Sequence, residues 1–191
     1  MRVVVKVGGS LLADEARLRA VLTALADGAE GPCVVVPGGG RDADTVRTAQ
    51  AEEGFSDAEA HRRALGAMGA TAARFRAVAP GLSPSLAPWD ETSAATALVW
   101  DPALLRDGHP AIPETWDVTS DSLALWLAAR IGAPACILVK SADAPPGSDA
   151  EALSRSGLVD AAFPSFARVF CGTIAVRGPG GHVPVPRRRA A

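Results

Sequence analysis

The chain has 191 residues, of which 48% are hydrophobic and 21% charged, and its formal net charge is −2. This near-neutral balance argues against a general nucleic-acid-binding protein, which would carry a dominant basic stripe. No apolar run reaches the roughly 18 residues of a membrane span, and the N-terminus lacks the order of a signal peptide, so we expect a cytoplasmic protein without a membrane partner. The length predicts a single domain over 1–191, with a flexible basic tail from residue 185.

The first half of the chain alternates between strand and helix patterns. Its predicted elements are a strand over 3–7, a helix over 11–26, a strand over 33–36, a short helix to about 53 and a longer helix to about 78. The candidate N-terminal caps are Ser10 for the first helix, Asp42 or Asp44 for the second and Ser56 or Asp57 for the third. Because strand, helix and strand follow closely, we expect a parallel pair with a right-handed crossover.

The second half continues the alternation after a Pro-, Gly- and Ser-rich loop over 80–88. Its predicted elements are a strand over 96–100, a helix over 119–129 capped by Thr119 or Ser120, a strand over 135–139, short helices over 149–156 and 163–167, and closing strands over 169–171 and 173–176, which can form a hairpin around Gly172. The whole pattern predicts an α/β fold, a three-layer αβα sandwich with a mainly parallel central sheet.

Two lysines and two glycine segments occupy the ends of predicted strands. Lys6 lies within the first strand and Lys140 follows the strand over 135–139, whereas Gly8-Gly9 and Gly38-Gly39-Gly40 follow the first two strands. Ligands bind at the carboxyl ends of parallel strands, where glycine turns can point backbone N–H groups at anions. Codon bias alone can deplete lysine, and a lone glycine triplet is equally well explained as a turn. The combination predicts a phosphate site.

Four segments carry an ordered set of motifs. They are Lys6-Val7-Gly8-Gly9-Ser10, Pro37 to Gly40, Thr119-Ser120-Asp121-Ser122-Leu123-Ala124 and Leu138-Val139-Lys140-Ser141-Ala142-Asp143. Together they resemble the amino acid kinase superfamily, and this resemblance implies an ATP-dependent kinase that uses Mg²⁺. It implies that Lys6 and Lys140 neutralise phosphoryl charge and that Asp121 holds both lysines. The ATP contacts that it implies are Lys6, Gly8, Gly9, Ser10, Lys140, Ser141 and Asp143.

A narrower resemblance rests on two further segments. Trp116-Asp117-Val118-Thr119-Ser120-Asp121-Ser122 and the pair Ala60-His61 resemble the small aspartokinase-like kinases of methanogens and methylotrophs. That resemblance implies phosphorylation of [5-(aminomethyl)furan-3-yl]methyl phosphate to its diphosphate in methanofuran-type cofactor biosynthesis. The acceptor contacts that it implies are Gly38, Gly39, Gly40, His61, Asp117, Thr119 and Ser120. The sequence departs from the pattern at Arg41, Arg62-Arg63 and Ala144, where Ala replaces the usual Gly after Asp143.

Several alternatives stay open. Asp117 is equally well explained as a turn residue, and His61 as a surface histidine of its helix. Two other functions remain, a kinase that forms an acyl phosphate on a carboxylate and a non-catalytic nucleotide- or oxyanion-binding protein on the same fold. No pair of residues suggests a general base, which is typical of an acceptor that is already anionic. Exposed Ala and Trp residues on a helical face favour a homo-oligomer.

The cysteine and histidine spacings predict no metal site built from protein side chains. The three cysteines, Cys33, Cys136 and Cys171, lie far apart within apolar segments. We therefore expect reduced, buried thiols. Asp42 and Asp44 are better explained as the solvated start of a helix than as metal ligands.

Overall fold

A seven-stranded sheet forms the centre of the structure, a computed structural model that describes residues 1–90, 92 and 94–186. The strands are β1 (Val3–Val7), β2 (Cys33–Pro37), β3 (Ser83–Ser85), β4 (Ala97–Trp100), β5 (Ala135–Val139), β6 (Thr173–Gly178) and β7 (Gly181–Pro184). Their order is β3-β4-β2-β1-β5-β6-β7, and β7 is antiparallel to β6 whereas the other neighbours are parallel. The predicted α/β fold with a mainly parallel sheet is confirmed.

Helices pack on both faces of this sheet. They are α1 (Glu15–Ala26), α2 (Gly40–Glu53), α3 (Asp57–Val78), α4 (Ser120–Arg130), α5 (Ala150–Arg155) and α6 (Phe163–Val169). Alternate residues of β1 point to opposite faces, so Val4 joins an apolar cluster with α4 while Val5 and Val7 join another with α1. Helix α4 is buried from Ser120 to Ala128, which fixes its position over the sheet. None of the described helices is long and apolar enough to cross a membrane.

The starts of the helices differ partly from the prediction. A 3-10 turn occupies Gly9–Ala13, and α1 begins after it with Asp14 as its cap, accepting from the Arg17 N–H at 3.1 Å. Ser10 is therefore not a helix cap. Helix α2 begins at Gly40 without a side-chain cap, so the prediction of Asp42 or Asp44 as its cap is wrong. Ser56 caps α3 as predicted, since its hydroxyl accepts from the Glu59 N–H at 3.2 Å. Thr119 occupies the cap position of α4 but its side chain does not cap the helix, because the hydroxyl donates to Asp160 instead.

The closing part of the sheet also differs from the prediction. Val169 ends helix α6 instead of starting a strand, since the helical hydrogen bonding continues to Phe170, whose N–H donates to the Phe166 carbonyl at 3.0 Å. The hairpin joins β6 to β7 instead of turning around Gly172. The loop predicted over 80–88 contains the three-residue edge strand β3.

Two further expectations need correction. Cys33 and Cys136 are buried as expected, but Cys171 is exposed because it follows α6 at the surface. Val185 is not part of a flexible tail as predicted, since it is buried and its N–H donates to the Ile174 carbonyl at 2.9 Å. The basic cluster Arg187–Arg189 lies outside the described residues.

Candidate functional site

Two lysines and one aspartate meet at the carboxyl ends of β1 and β5. Strand pairing places Lys6 opposite Leu138, two residues before Lys140, and α4 brings Asp121 onto the same end of the sheet. Lys140 Nζ donates a hydrogen bond to Asp121 Oδ2 at 2.6 Å. Lys6 Nζ lies 2.8 Å from Oδ1 as an ion pair, without a well-directed hydrogen bond. The exposed fractions are 4% for Lys6, 5% for Asp121 and 9% for Lys140.

The electrostatics of this triad favour an anionic ligand. Burial alone would raise the pKa of Asp121, but the charges of Lys6 and Lys140 outweigh it and lower that pKa, so the carboxylate is ionised. Burial, together with the charge of Lys6, lowers the pKa of Lys140 from 10.5 to about 8, although Asp121 opposes this change. Two ammonium groups on one carboxylate leave one positive charge in a buried place. Such a charge is costly unless an anion compensates it.

The two glycine segments are in direct backbone contact beside the triad. A Cβ atom added at Gly9 would lie 2.5 Å from the Cα of Gly40, and one added at Gly38 would lie 3.2 Å from the Cα of Gly9. Strand ends hold both segments, since the Gly8 N–H donates to the Val139 carbonyl at 3.0 Å and the Gly38 N–H to the Val7 carbonyl at 2.9 Å. Glycine is therefore required where the segments touch.

Asp160 fastens the start of α4, one turn from the triad. Its Oδ2 accepts from the Thr119 N–H at 2.9 Å, the Thr119 hydroxyl at 2.8 Å and the Ser122 N–H at 3.0 Å. Its Oδ1 accepts from the Ser122 hydroxyl. These bonds bracket Asp121 in sequence, so Asp160 limits the movement of the residue that holds both lysines.

A cavity of about 300 Å³ opens beside the glycine segments. Its apolar wall comes mainly from Leu12, Ala43, Ala64, Leu65, Met68, Val118 and Leu123. Its polar wall comes from the glycine segments and from Ser10, Arg41, Asp44, Arg47, His61, Trp116, Thr119 and Ser120. The arrangement fits a small molecule with an apolar body whose anionic end faces the glycine segments.

A family model described as the amino acid kinase family matches residues 1–97, which include Lys6 and both glycine segments. The chain belongs to the amino acid kinase family. This confirms the superfamily resemblance and supports a kinase. A comparison with curated protein sequences finds no match.

Several solved structures share the fold of this chain. Uridylate kinase from Archaeoglobus fulgidus has a TM-score of 0.68 at 19% identity, covering 97% of this chain and 91% of that chain. Aspartate kinase from Synechocystis has a TM-score of 0.67 at 18% identity, covering all of this chain but 41% of that chain. UMP kinase from Bacillus anthracis has a TM-score of 0.62 at 16% identity, covering 92% and 86%. At these identities the likeness concerns the fold.

The predicted site residues fall into two groups, those that line the cavity and those that do not. Those that line the cavity are Gly9, Ser10, Gly38, Gly39, Gly40, His61, Thr119 and Ser120. Asp117 does not line it: its side chain is exposed, and its carbonyl accepts from the Ala162 N–H at 2.9 Å. The other predicted residues do not line the cavity either, and they are Lys6, Gly8, Asp121, Lys140, Ser141 and Asp143. The Ser141 hydroxyl nevertheless lies 3.0 Å from the hydroxyl of Ser10, which does line it. Asp143 accepts from the Gly180 N–H at 2.7 Å, at the β6–β7 turn.

Sequence reasoning missed three contributors to the site. Asp160 lies in the loop between α5 and α6, 38 residues from Ser122, so no local spacing could have indicated it. Arg47 stacks its guanidinium over the Trp116 ring at 4.3 Å, and the Trp116 ring N–H donates to Gln50 at 2.6 Å. Trp116 belongs to one of the motifs that carry the narrower resemblance, but that resemblance gives its ring no role in the site.

The described part of the chain contains no cluster of side chains that would hold a metal ion. No group of three or more His, Cys, Asp or Glu side chains there is arranged to hold a metal ion. Asp121 is engaged by both lysines. A magnesium ion at this site would therefore have to be held largely by the phosphates of a nucleotide.

Proposed function

We propose that this chain is an ATP-dependent kinase that transfers a phosphoryl group to a small-molecule phosphate. The observation that carries the proposal is the buried cluster of Lys6, Asp121 and Lys140, with its one net positive charge, beside a cavity walled by two touching glycine segments. Phosphoryl transfer depends mainly on positioning and on neutralisation of charge, and these groups supply both.

In this proposal the acceptor occupies the cavity and ATP lies at Ser141, with Ser10 between the two. ATP, with its Mg²⁺, supplies the phosphoryl group. Lys6 and Lys140 neutralise charge on the phosphates, and Asp121 keeps the two ammonium groups apart and oriented. Loss of one such preorganised contact costs on the order of 3 kcal/mol in the barrier, or roughly a hundredfold in rate.

An anionic acceptor is favoured over an alcohol. The carboxylate that lines the cavity, Asp44, lies 3.3 Å from the Arg47 guanidinium and is exposed at the surface. A phosphate oxygen is already an anion at pH 7 and needs no general base to become nucleophilic. We infer a phosphate acceptor, since the net positive charge of the triad lies next to the cavity: Asp121 directly follows Ser120, which lines it, although the triad residues themselves do not.

The acceptor that we propose is [5-(aminomethyl)furan-3-yl]methyl phosphate, with its diphosphate as the product of a step in methanofuran-type cofactor synthesis. A cavity of about 300 Å³ with one apolar wall suits a small ring of this size. The motif around Trp116 to Ser122 supports the same choice. A kinase forming an acyl phosphate is the second candidate, because aspartate kinase shares the fold at a TM-score of 0.67.

The reaction products distinguish these functions. With ATP, Mg²⁺ and the proposed acceptor, ³¹P NMR should show a new diphosphate, whereas an aspartate-type reaction would yield an acyl phosphate that hydroxylamine traps. Lys6→Ala should abolish turnover while circular dichroism shows a retained fold. Arg19→Ala, which removes one positive charge from an exposed position of α1, is the control. ATP binding without turnover of any acceptor would instead favour a non-catalytic binding protein.

A further inference from the structure

One buried polar group in the cavity wall has a capacity for hydrogen bonding that the protein does not use. His61 lies on α3, is 5% exposed and lines the cavity. Its Nδ1 lies 3.3 Å from the Thr115 carbonyl oxygen. Among the described residues, none donates a hydrogen bond to the other ring nitrogen, Nε2. The buried side-chain atoms left without a hydrogen-bond partner among the described residues are Glu114 Oε1 and Asp121 Oδ1, so Nε2 is open to the cavity. A ligand that displaces water from this nitrogen must supply a donor in its place.

The Thr115 contact determines which ring nitrogen carries the proton. A carbonyl oxygen can only accept, so Nδ1 must be the donor and carry the hydrogen. Burial, with a smaller contribution from Arg62, lowers the pKa of His61 below its usual 6.5 against the opposing Thr115 contact and Glu114 charge. The ring is then neutral at pH 7. A neutral ring with its hydrogen on Nδ1 has a lone pair on Nε2.

The other residues of α3 that line the cavity are apolar. Ala64, Leu65 and Met68 follow His61 at helical spacings of three, four and seven residues, and all of them line the cavity. On this stretch of α3, His61 is the one polar side chain that lines the cavity. An apolar group packed against the ring would leave Nε2 without a partner. This wall instead favours a molecule that places one N–H or O–H donor at that point.

We propose that His61 Nε2 accepts a hydrogen bond from a donor group of the acceptor molecule, remote from its phosphate, and thereby selects acceptors that carry such a donor. The inference rests on the proposed function, because it concerns the acceptor of the same reaction. In the proposed substrate the donor is the aminomethyl group. Arg41 and Arg47 also line the cavity and are exposed, so they suit the anionic part of the molecule instead.

Three acceptors that differ in one group test the selection. The aminomethyl compound is compared with analogues that carry hydroxymethyl or methyl in its place. We expect the methyl analogue to lose about tenfold to a hundredfold in kcat/KM with the wild-type enzyme, and the hydroxymethyl analogue to lose less. In His61→Phe the ratio between aminomethyl and methyl acceptors should fall close to one. His61→Gln should keep part of the preference, because its amide oxygen can accept.

Controls and contrary results follow from the same comparison. His182→Phe makes the matching change at an exposed position of β7 and should keep the wild-type ratio. An unchanged ratio in His61→Phe would overturn the inference. An equal loss of turnover with all three acceptors would also overturn it, since His61 would then act at the reacting centre.

A measurement without any substrate separates this inference from the proposed function. ¹⁵N NMR of the histidine rings at pH 7 should show His61 with a protonated Nδ1 and an unprotonated Nε2, assigned by the loss of its signals in His61→Gln. A protonated Nε2 would refute the acceptor role even if the kinase reaction is established. If the wild-type enzyme phosphorylates none of the three acceptors, the proposed function fails and the ring measurement alone decides the chemistry of His61.

Discussion

Lys140 should make stability and activity respond in opposite directions to alkaline pH. Its pKa falls from 10.5 to about 8 in the folded chain, chiefly because of burial. One pKa unit corresponds to about 1.4 kcal/mol, so the charged form costs about 3 kcal/mol more in the folded chain than in the unfolded one. Between pH 8 and 10.5 the unfolded chain binds more protons at this residue. The contribution of Lys140 to the free energy of unfolding therefore rises with pH across that window.

Urea unfolding of the wild type and of Lys140→Met, from pH 7 to 10, measures this contribution as a difference between the two proteins. The comparison matters because burial raises the pKa of Cys33 to about 11, which lowers stability at alkaline pH in both proteins and cancels. We expect the stability of the wild type relative to Lys140→Met to increase by about 2–3 kcal/mol by pH 10. A difference that does not change with pH would refute the assignment of a lowered pKa to Lys140.

The ionisation of Lys140 should also appear in kcat/KM, which should fall with pH where the stability contribution rises. If the charge of Lys140 assists phosphoryl transfer, kcat/KM should fall above about pH 8, because this parameter reports the pKa values of the free enzyme. Arginine stays charged throughout this range. Whatever activity Lys140→Arg retains should therefore lack the alkaline fall. A wild-type kcat/KM that stays constant to pH 10 would contradict a catalytic role for this ammonium group.

The remaining predictions concern the supports of the site. Gly9→Ala should separate the glycine segments by about 1 Å and reduce kcat by roughly a hundredfold. The control Gly66→Ala, whose added Cβ meets nothing within 4 Å, should keep kcat near the wild-type value. Equal kcat values for the two variants would exclude a close approach of the glycine segments. Asp160→Ala and Asp149→Ala each remove a helix cap and should each cost about 1–2 kcal/mol of stability. The fall of kcat/KM at alkaline pH should move to a different pH in Asp160→Ala and stay unchanged in Asp149→Ala. If the two variants have the same pH profile of kcat/KM, Asp160 only stabilises the helix.

Local sequence signals predicted the strands of the central sheet well. The β-branched runs over 3–7 and 33–36 became β1 and β2, and glycines end both, because a residue's preference for extended structure and a glycine break act over a few residues. The same signals failed at 169–171, where an apolar run followed a helix instead of entering the sheet. They also failed at the edge strand β3, which is only three residues long.

The sequence by itself determined that Lys6 lies within the first strand and that Lys140 and two glycine segments follow strands, and its motifs implied the link to Asp121. The tertiary structure decided that Asp121 lies between both ammonium groups, at 2.8 and 2.6 Å, and that Asp160 holds the helix which carries it. Likewise, only packing brought Thr115 to His61, 54 residues away. Contacts of this kind depend on which elements pack together across the chain, and no local spacing encodes them.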